Sequence, residues 1–258
     1  NVAGRTGSFH KTNYPKQDPD DGSNIQLTID LEYQSILQEE LQRRIDESGA
    51  KGAMGVLMDP QNGDILAMAS LPDFDLNNPN MTPLENQKNK VITDQFEPGS
   101  TFKIVAATAA LNTGKISLND EFNCEVGKFE FDGWTISDHE KFGVLTFPQI
   151  IANSSNVGVI KIAQIIGKDP LYRLSRNYGF GTPTGISFPG ESQGILRQKK
   201  DWSKMSLASV SIGYEVGVTA LQIASAYSAI ANGGVLLKPQ IVMQIISNKG
   251  ELLYKSKP

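Results

Sequence analysis

A proline–glycine turn that runs directly into an apolar helix is the feature that most constrains this chain. Residues 97–103 read EPGSTFK, and positions 104–111 are almost all apolar or small. Pro98-Gly99 forces a turn, and the apolar run after it predicts a buried helix. Ser100 and Lys103 are three positions apart, so both lie on one face where that helix begins.

A serine beside a lysine at the start of a helix suits nucleophilic catalysis. A serine hydroxyl is a poor nucleophile at its ordinary pKa, and an adjacent amine kept neutral by burial can activate it. Unpaired backbone N–H groups at the helix N-terminus can stabilise an oxyanion. The pattern therefore indicates acyl transfer by Ser100 and Lys103. The alternative is an N-cap serine followed by a solvated lysine.

The Ser-x-x-Lys spacing occurs at two other places, Ser8 to Lys11 and Ser48 to Lys51. Ser8 lies in a polar, proline-containing segment without apolar periodicity. Ser48 comes at the end of a predicted amphipathic helix, where Gly49 is a stop signal. Context therefore favours Ser100.

A second polar group lies between two apolar runs, at residues 153–156, which read NSSN. Burying such a group is costly unless its members are hydrogen-bonded. Ser154 and Asn156 form a Ser-x-Asn motif there. The alternative is a capped turn between two helices, and another Ser-x-Asn begins at Ser175.

Taken together, these motifs resemble those of penicillin-binding proteins and serine β-lactamases, in which Ser-x-x-Lys is followed by Ser-x-Asn and Lys-Thr-Gly. The resemblance to class B penicillin-binding proteins, the peptidoglycan D,D-transpeptidases, extends from about Asp21 to the C-terminus. It rests on the following stretches: 21–30 with Gln34, 93–103, 181–194, 211–214 and 219–234.

The third motif is the main departure from the family. No Lys-Thr-Gly occurs in the chain, and the nearest tripeptide is Arg5-Thr6-Gly7. That segment resembles the Gly-x-x-Gly found just before the family's transpeptidase domain. A circular permutation is the less favoured alternative. We expect the third motif beyond residue 258, in a longer parent protein of which this chain is a fragment.

Composition is ordinary for a globular domain. The 258 residues are 39% hydrophobic and 20% charged, and a net charge of −4 gives no reason to expect nucleic-acid binding. A single cysteine, Cys124, and two histidines argue against a disulfide or a metal site, and we expect no cofactor. His139 follows Asp138, but Ser100 already has a lysine, so a solvated turn is expected there.

The spacing of apolar residues predicts a fold that contains both helices and strands. One hairpin is expected across 54–69 around the Asn62-Gly63 turn and another across 241–254, and the loop 71–90 is expected to border a groove. Helices are predicted over 31–48, 102–112, 147–152, 157–166, 170–178 and 220–232. The resemblance implies the α+β (α/β/α) penicillin-binding protein/serine β-lactamase-like transpeptidase fold, here its helical subdomain plus part of an antiparallel sheet. Residues 1–22 are then a lead-in from an upstream domain or linker, and 23–258 a C-terminally incomplete transpeptidase domain.

The resemblance also implies a mechanism. Ser100 forms an acyl-enzyme with a peptidoglycan stem peptide, Lys103 takes its proton, Ser154 relays a proton to the leaving amine, and Asn156 holds the substrate amide. The backbone N–H of Ser100 supplies half of the oxyanion hole. β-Lactam antibiotics would be trapped by the same chemistry.

The family also implies a location and partners. The parent would be held at the outer face of the cytoplasmic membrane by an N-terminal helix that this chain does not contain, with division or elongation complex proteins as partners. Two alternatives remain. One is a β-lactamase or D,D-carboxypeptidase, for which no deacylating base is evident, and the other is a non-catalytic penicillin-binding sensor or scaffold module.

Overall fold

A computed structural model of the protein describes residues 2–4, 7–9 and 21–256. The described residues divide into two compact units: those up to Leu27 join Val242–Ser256 in the smaller unit, and the larger unit runs from Thr28 to Ile241. Within the described residues, no helix combines the length and the apolar character required to cross a membrane.

Every α-helix in the described part of the chain lies in the larger unit. They are α1 Leu31–Ser48, α2 Lys90–Thr93, α3 Lys103–Asn112, α4 Phe147–Ala152, α5 Asn156–Ile166, α6 Lys168–Asn177, α7 Ser206–Ser211 and α8 Ala220–Ala231. Every predicted helix is present, with ends within about two residues of expectation. The short helices α2 and α7 were not predicted.

The strands form small antiparallel sheets. The pairs are β1–β2, β4–β5, β6–β9, β7–β8 and β10–β11, and one three-stranded sheet has the order β13-β12-β3. The bounds are β1 Val2–Gly4, β2 Gly7–Phe9, β3 Asn24–Leu27, β4 Ala53–Met58, β5 Ile65–Leu71, β6 Glu121–Asn123, β7 Lys128–Phe131, β8 Trp134–Ser137, β9 Val144–Thr146, β10 Ile195–Leu196, β11 Val216–Gly217, β12 Val242–Ile246 and β13 Leu252–Lys255. Helices combined with antiparallel sheets confirm the predicted α+β class.

Helix α1 begins and ends at the signals that its sequence carries. The Asp30 carboxylate accepts hydrogen bonds from the backbone N–H groups of Glu32 and Tyr33, so it is the N-cap. At the other end, Gly49 adopts φ 66° and its N–H donates to the carbonyl of Ile45, as a left-handed C-cap does. Ser48 therefore lies at the end of this helix, as predicted.

The β4–β5 hairpin, which the Asn62-Gly63 turn predicted, packs against α1. A Cβ atom at Gly55 of β4 would lie 2.8 Å from a methyl carbon of Leu37, so the glycine lets helix and sheet approach closely. The Gln34 side chain both accepts from the N–H of Met68, at 2.8 Å, and donates to its carbonyl, at 3.0 Å. One amide thus pairs with β5 as a neighbouring strand would.

The core of the larger unit surrounds α3. This helix contacts α4, α5, α6 and α7. Its buried side chains, with those of α5, form a cluster that includes Phe102, Ile160 and Phe180, all at most 1% exposed. An apolar helix enclosed by other helices can hold a lysine at its start out of water, and this is where Lys103 lies.

The segment between α3 and α4 contains structure that we did not predict. Strands β7 and β8 pair through the tight turn at Asp132-Gly133, and β6 pairs with β9. Phe129 and Phe131 face the core, while Lys128 and Glu130, which alternate with them, are exposed. This period of two, followed by Asp-Gly, is a hairpin signal. It matters because Asp138 follows β8 directly.

Candidate active site

The Ser100 turn precedes α3 instead of opening it. Residues Gly99–Phe102 form a 3₁₀ turn, and α3 begins at Lys103. Gly99 has φ 55°, and its N–H donates to the carbonyl of Gly213 at 3.0 Å. Ser100 is exposed, and its hydroxyl makes no hydrogen bond with any part of the chain that the structure describes. The hydroxyl of the predicted nucleophile is thus accessible to a substrate.

Lys103 is buried, with 3% of its surface exposed. Its Nζ donates to the backbone oxygen of Ser154 at 2.5 Å and to the Ser154 hydroxyl at 3.0 Å. Burial lowers the pKa of Lys103 to about 8, and the negative charge of Asp138 partly opposes that shift. At pH 7, roughly a tenth of such a lysine is neutral and able to accept a proton.

The Ser154 loop joins α4 to α5. Ser154 adopts φ 52°, a left-handed conformation that is uncommon for a serine. The next residue, Ser155, is the N-cap of α5, and its Oγ accepts from the N–H of Gly158 at 2.9 Å. This polar group is therefore hydrogen-bonded and forms a capped turn between α4 and α5, while the catalytic role of the Ser-x-Asn motif stays a prediction.

Asn156 occupies the first position of α5 and is half-buried. Its side-chain Nδ2 donates to the carbonyl of Ser137 at 2.9 Å. Among the predicted site residues, the structure therefore brings Lys103 and Ser154 into direct contact. Within the described residues, no hydrogen bond links Ser100 or Asn156 to that pair.

Asp138 is the site residue that the sequence did not reveal. Its Oδ2 accepts from Ser155 Oγ at 2.7 Å, and its Oδ1 accepts from the N–H groups of Asn156 at 2.5 Å and Val157 at 3.1 Å. We expected a solvated turn at 137–140. His139 is exposed there, but Asp138 is half-buried. No local pattern signals a contact with residues 17 to 19 positions away.

A second turn, at Gly213, packs against the Ser100 turn. Gly213 has φ 84°, and a Cβ atom at this position would lie 2.1 Å from the carbonyl oxygen of Gly99. The carboxylate of Glu97 accepts from the backbone N–H of Glu215 at 2.9 Å. The segment 213–215 thus fixes the residues that precede Ser100 through both backbone and side-chain contacts.

The arrangement suits covalent catalysis by a serine. It combines an exposed hydroxyl, a buried amine of lowered pKa and a second hydroxyl bonded to that amine. No group of three or more His, Cys, Asp or Glu residues placed to hold a metal occurs in the part of the chain described. Arg5 and Thr6, which the circular-permutation alternative concerns, lie outside the described residues.

Comparison with known proteins gives a consistent result. Residues 53–258 match the penicillin binding protein transpeptidase domain family. The chain is 37% identical over 219 residues to the probable peptidoglycan D,D-transpeptidase PbpC of Pseudomonas aeruginosa. The aligned region covers 85% of this chain and 39% of that protein. The chain is 35% identical over 234 residues to the stage V sporulation protein D of Bacillus subtilis, covering 88% of this chain and 36% of that protein. It thus spans less than half the length of these relatives.

Solved structures of penicillin-binding proteins resemble this chain as well. Penicillin binding protein 3 of Mycobacterium tuberculosis in its apo form matches with a TM-score of 0.83 at 31% identity, over 94% of this chain and 55% of that one. The same protein complexed with aztreonam gives a TM-score of 0.82 at 32% identity, over 92% and 53% of the two chains.

Proposed function

Since the chain belongs to the penicillin-binding protein transpeptidase family, we propose that it carries the acyl-transfer site of a peptidoglycan D,D-transpeptidase. The single observation that best supports this is the buried Lys103 amine, bonded to Ser154 and with its pKa lowered to about 8, three positions from the exposed Ser100. The substrate class follows from the family and the chemistry from these residues.

In the proposed reaction, Ser100 Oγ attacks the carbonyl carbon between the two terminal D-alanines of a stem peptide. Neutral Lys103 takes the hydroxyl proton as the C–O bond forms. The C–N bond then breaks, and Ser154 passes a proton to the departing D-alanine amine. The Ser100 N–H supports the oxyanion, and Asn156 binds the substrate amide. The amine of a second stem peptide displaces Ser100 to complete the cross-link.

The location and partners of the parent protein belong to the same proposal. Stem peptides are assembled into the wall outside the cytoplasmic membrane, so the site would act at the outer face of that membrane, with an anchor in the parent. Partners would be proteins of a division or elongation complex. The name of one relative, a probable peptidoglycan D,D-transpeptidase, supports wall synthesis as the setting.

β-Lactams follow as inhibitors in this proposal, because the ring carbonyl would acylate Ser100 in the same way. The related penicillin binding protein 3 of Mycobacterium tuberculosis has been solved with ampicillin and with aztreonam. When the β-lactam ring opens, the leaving amine stays attached to the acyl group. Because it cannot diffuse away, the ester on Ser100 would persist.

A thioester analogue of the stem peptide, offered together with a D-amino acid acceptor, tests the proposal. We expect an exchanged product from wild type and from Ser48→Ala, which removes a serine of the same Ser-x-x-Lys spacing, and none from Ser100→Ala. Hydrolysis without exchange would indicate a carboxypeptidase instead. Product formation that survives Ser100→Ala would overturn the assignment.

A further inference from the structure

We propose that Asp138 is a positioning residue for acyl transfer, because its carboxylate fixes the first turn of α5 and with it the Ser154 loop that Lys103 binds. This inference rests on the proposed function of the site. Asp138 makes three hydrogen bonds to consecutive residues, through Ser155 Oγ and the N–H groups of Asn156 and Val157. Both carboxylate oxygens are used.

Asp138 adds to the capping that Ser155 gives α5. Ser155 already serves as the N-cap, since its own hydroxyl accepts from the N–H of Gly158. Asp138 satisfies two further N–H groups at the positive end of the helix and also accepts from the capping hydroxyl. A carboxylate from 17 to 19 positions away, added to a helix end that already has a capping hydroxyl, ties the first turn of α5 to the segment after β8.

The loop that Asp138 holds is conformationally unfavourable. Ser154 lies directly before these three residues and adopts φ 52°, which a serine adopts only when its surroundings enforce it. On its other side, the N–H of Ser154 is bonded to the carbonyl of Ile151, at the end of α4. Held between α4 and Asp138, Ser154 presents its carbonyl and hydroxyl oxygens to the same Lys103 amine.

Asp138 also acts on Lys103 through its charge. Burial lowers the pKa of Lys103 and Asp138 raises it, so the carboxylate limits how far the amine loses its proton. The other ionisable groups around the start of α5 are Cys124, Lys161 and Glu125. Lys161 pairs with Glu125, and both act on the Cys124 thiol, as Asp138 does, but not on Lys103.

The test compares Asp138→Asn with Asp132→Asn. Asparagine keeps the shape of Asp138 and removes its charge. Asp132 is an exposed aspartate at the tip of the same hairpin, with φ 48°, a conformation that asparagine tolerates. Two quantities are measured for each: the midpoint of the Lys103 side-chain titration by NMR, and the pH profile of Ser100 acylation by a fluorescent penicillin.

We expect Asp138→Asn to move the Lys103 midpoint below the wild-type value of about 8. The acidic limb of the acylation profile should follow it to lower pH, while the plateau rate falls about 10- to 100-fold because Ser154 is displaced. Asp132→Asn should match wild type in both measurements. If Asp138→Asn does not fold, Asp138→Glu is used. It keeps the charge, so the midpoint should stay near wild type while the plateau falls.

The inference would be overturned if Asp138→Asn left the Lys103 midpoint unchanged and lowered the acylation rate only in proportion to the fraction of protein that is folded. Asp138 would then be a structural cap. A plateau unchanged in Asp138→Glu would overturn it equally. Because the NMR titration needs no reaction, it tests the effect of the Asp138 charge on Lys103 even if wild type forms no adduct. The absence of an adduct in wild type would count against the proposed function instead.

Discussion

Lys103 and Ser154 are joined by two hydrogen bonds, one from the lysine Nζ to the serine backbone oxygen and one to its hydroxyl. The two residues are 51 positions apart, so the contact ties the start of α3 to the loop between α4 and α5. The amine is thereby removed from water and held toward a second hydroxyl. The free energy of burying it should be visible in the stability of the protein.

Replacing Lys103 with methionine should stabilise the fold at neutral pH. Below about pH 8 the folded protein holds a charged amine out of water, which lowers the free energy of unfolding. This cost disappears as pH rises to the ordinary lysine pKa of 10.5. Between these values the unfolded chain binds a proton that the folded chain has lost, so wild-type stability rises with pH. Lys103→Met should raise the free energy of unfolding at pH 7 by up to about 3 kcal/mol, less the lost bonds to Ser154.

Chemical denaturation from pH 7 to 10.5 checks this, with the exposed Lys115→Met as control. The difference between wild type and Lys103→Met should shrink across the interval, and the control should show no such trend. A constant difference would contradict a lowered pKa for Lys103.

Gly213→Ala should disrupt the Ser100 turn. A Cβ atom at Gly213 would lie 2.1 Å from the carbonyl oxygen of Gly99, and neither backbone can yield easily. Gly233 has a similar φ of 89° with open space around it, so Gly233→Ala measures the conformational cost alone, about 1–2 kcal/mol. We expect Gly213→Ala to lose clearly more stability and nearly all penicillin acylation. Equal losses in the two variants, measured by denaturation and labelling, would show that the contact does not position Ser100.

Local patterns predicted the elements of this fold better than the contacts within the site. The apolar run after Ser100 and the Asn62-Gly63 turn each specify their own structure, and both predictions are confirmed. The positions of Asp138 at α5 and of Gly213 behind Gly99 depend on how separate segments pack. A single sequence carries no periodicity across such distances, and the Asp132-Gly133 signal indicates a hairpin but not what the residue after it contacts.

Motif spacing singled out Ser100, Lys103, Ser154 and Asn156 as site residues, but it did not predict how they are bonded. The spacing of three positions suggested that Lys103 would contact Ser100. The lysine instead donates to Ser154, because α3 begins at Lys103 and its side chain points into the interface with α5. The roles assigned to these four residues stay predictions until variants are measured.

Gln222→Leu should destabilise the loop beyond the second motif. This glutamine is 1% exposed; it donates to the carbonyls of Thr182 and Gln193 and accepts from the N–H of Thr219. Leucine would leave the N–H of buried Thr219 and the carbonyls of half-buried Thr182 and exposed Gln193 without these partners, at a cost of about 1–3 kcal/mol. Gln149 makes the corresponding bond to the N–H of Thr146 but is exposed, so Gln149→Leu should cost less than about 1 kcal/mol. Similar melting temperatures for the two variants would contradict this account.

The most direct test of the central claim is the intact mass of the protein after exposure to benzylpenicillin, with peptide mapping of any adduct. We predict that wild type and Ser48→Ala each gain the mass of one penicillin, on the peptide that contains Ser100, and that Ser100→Ala gains none. An adduct that persists in Ser100→Ala, or a wild-type protein that gains no mass, would contradict the claim that Ser100 is an activated nucleophile.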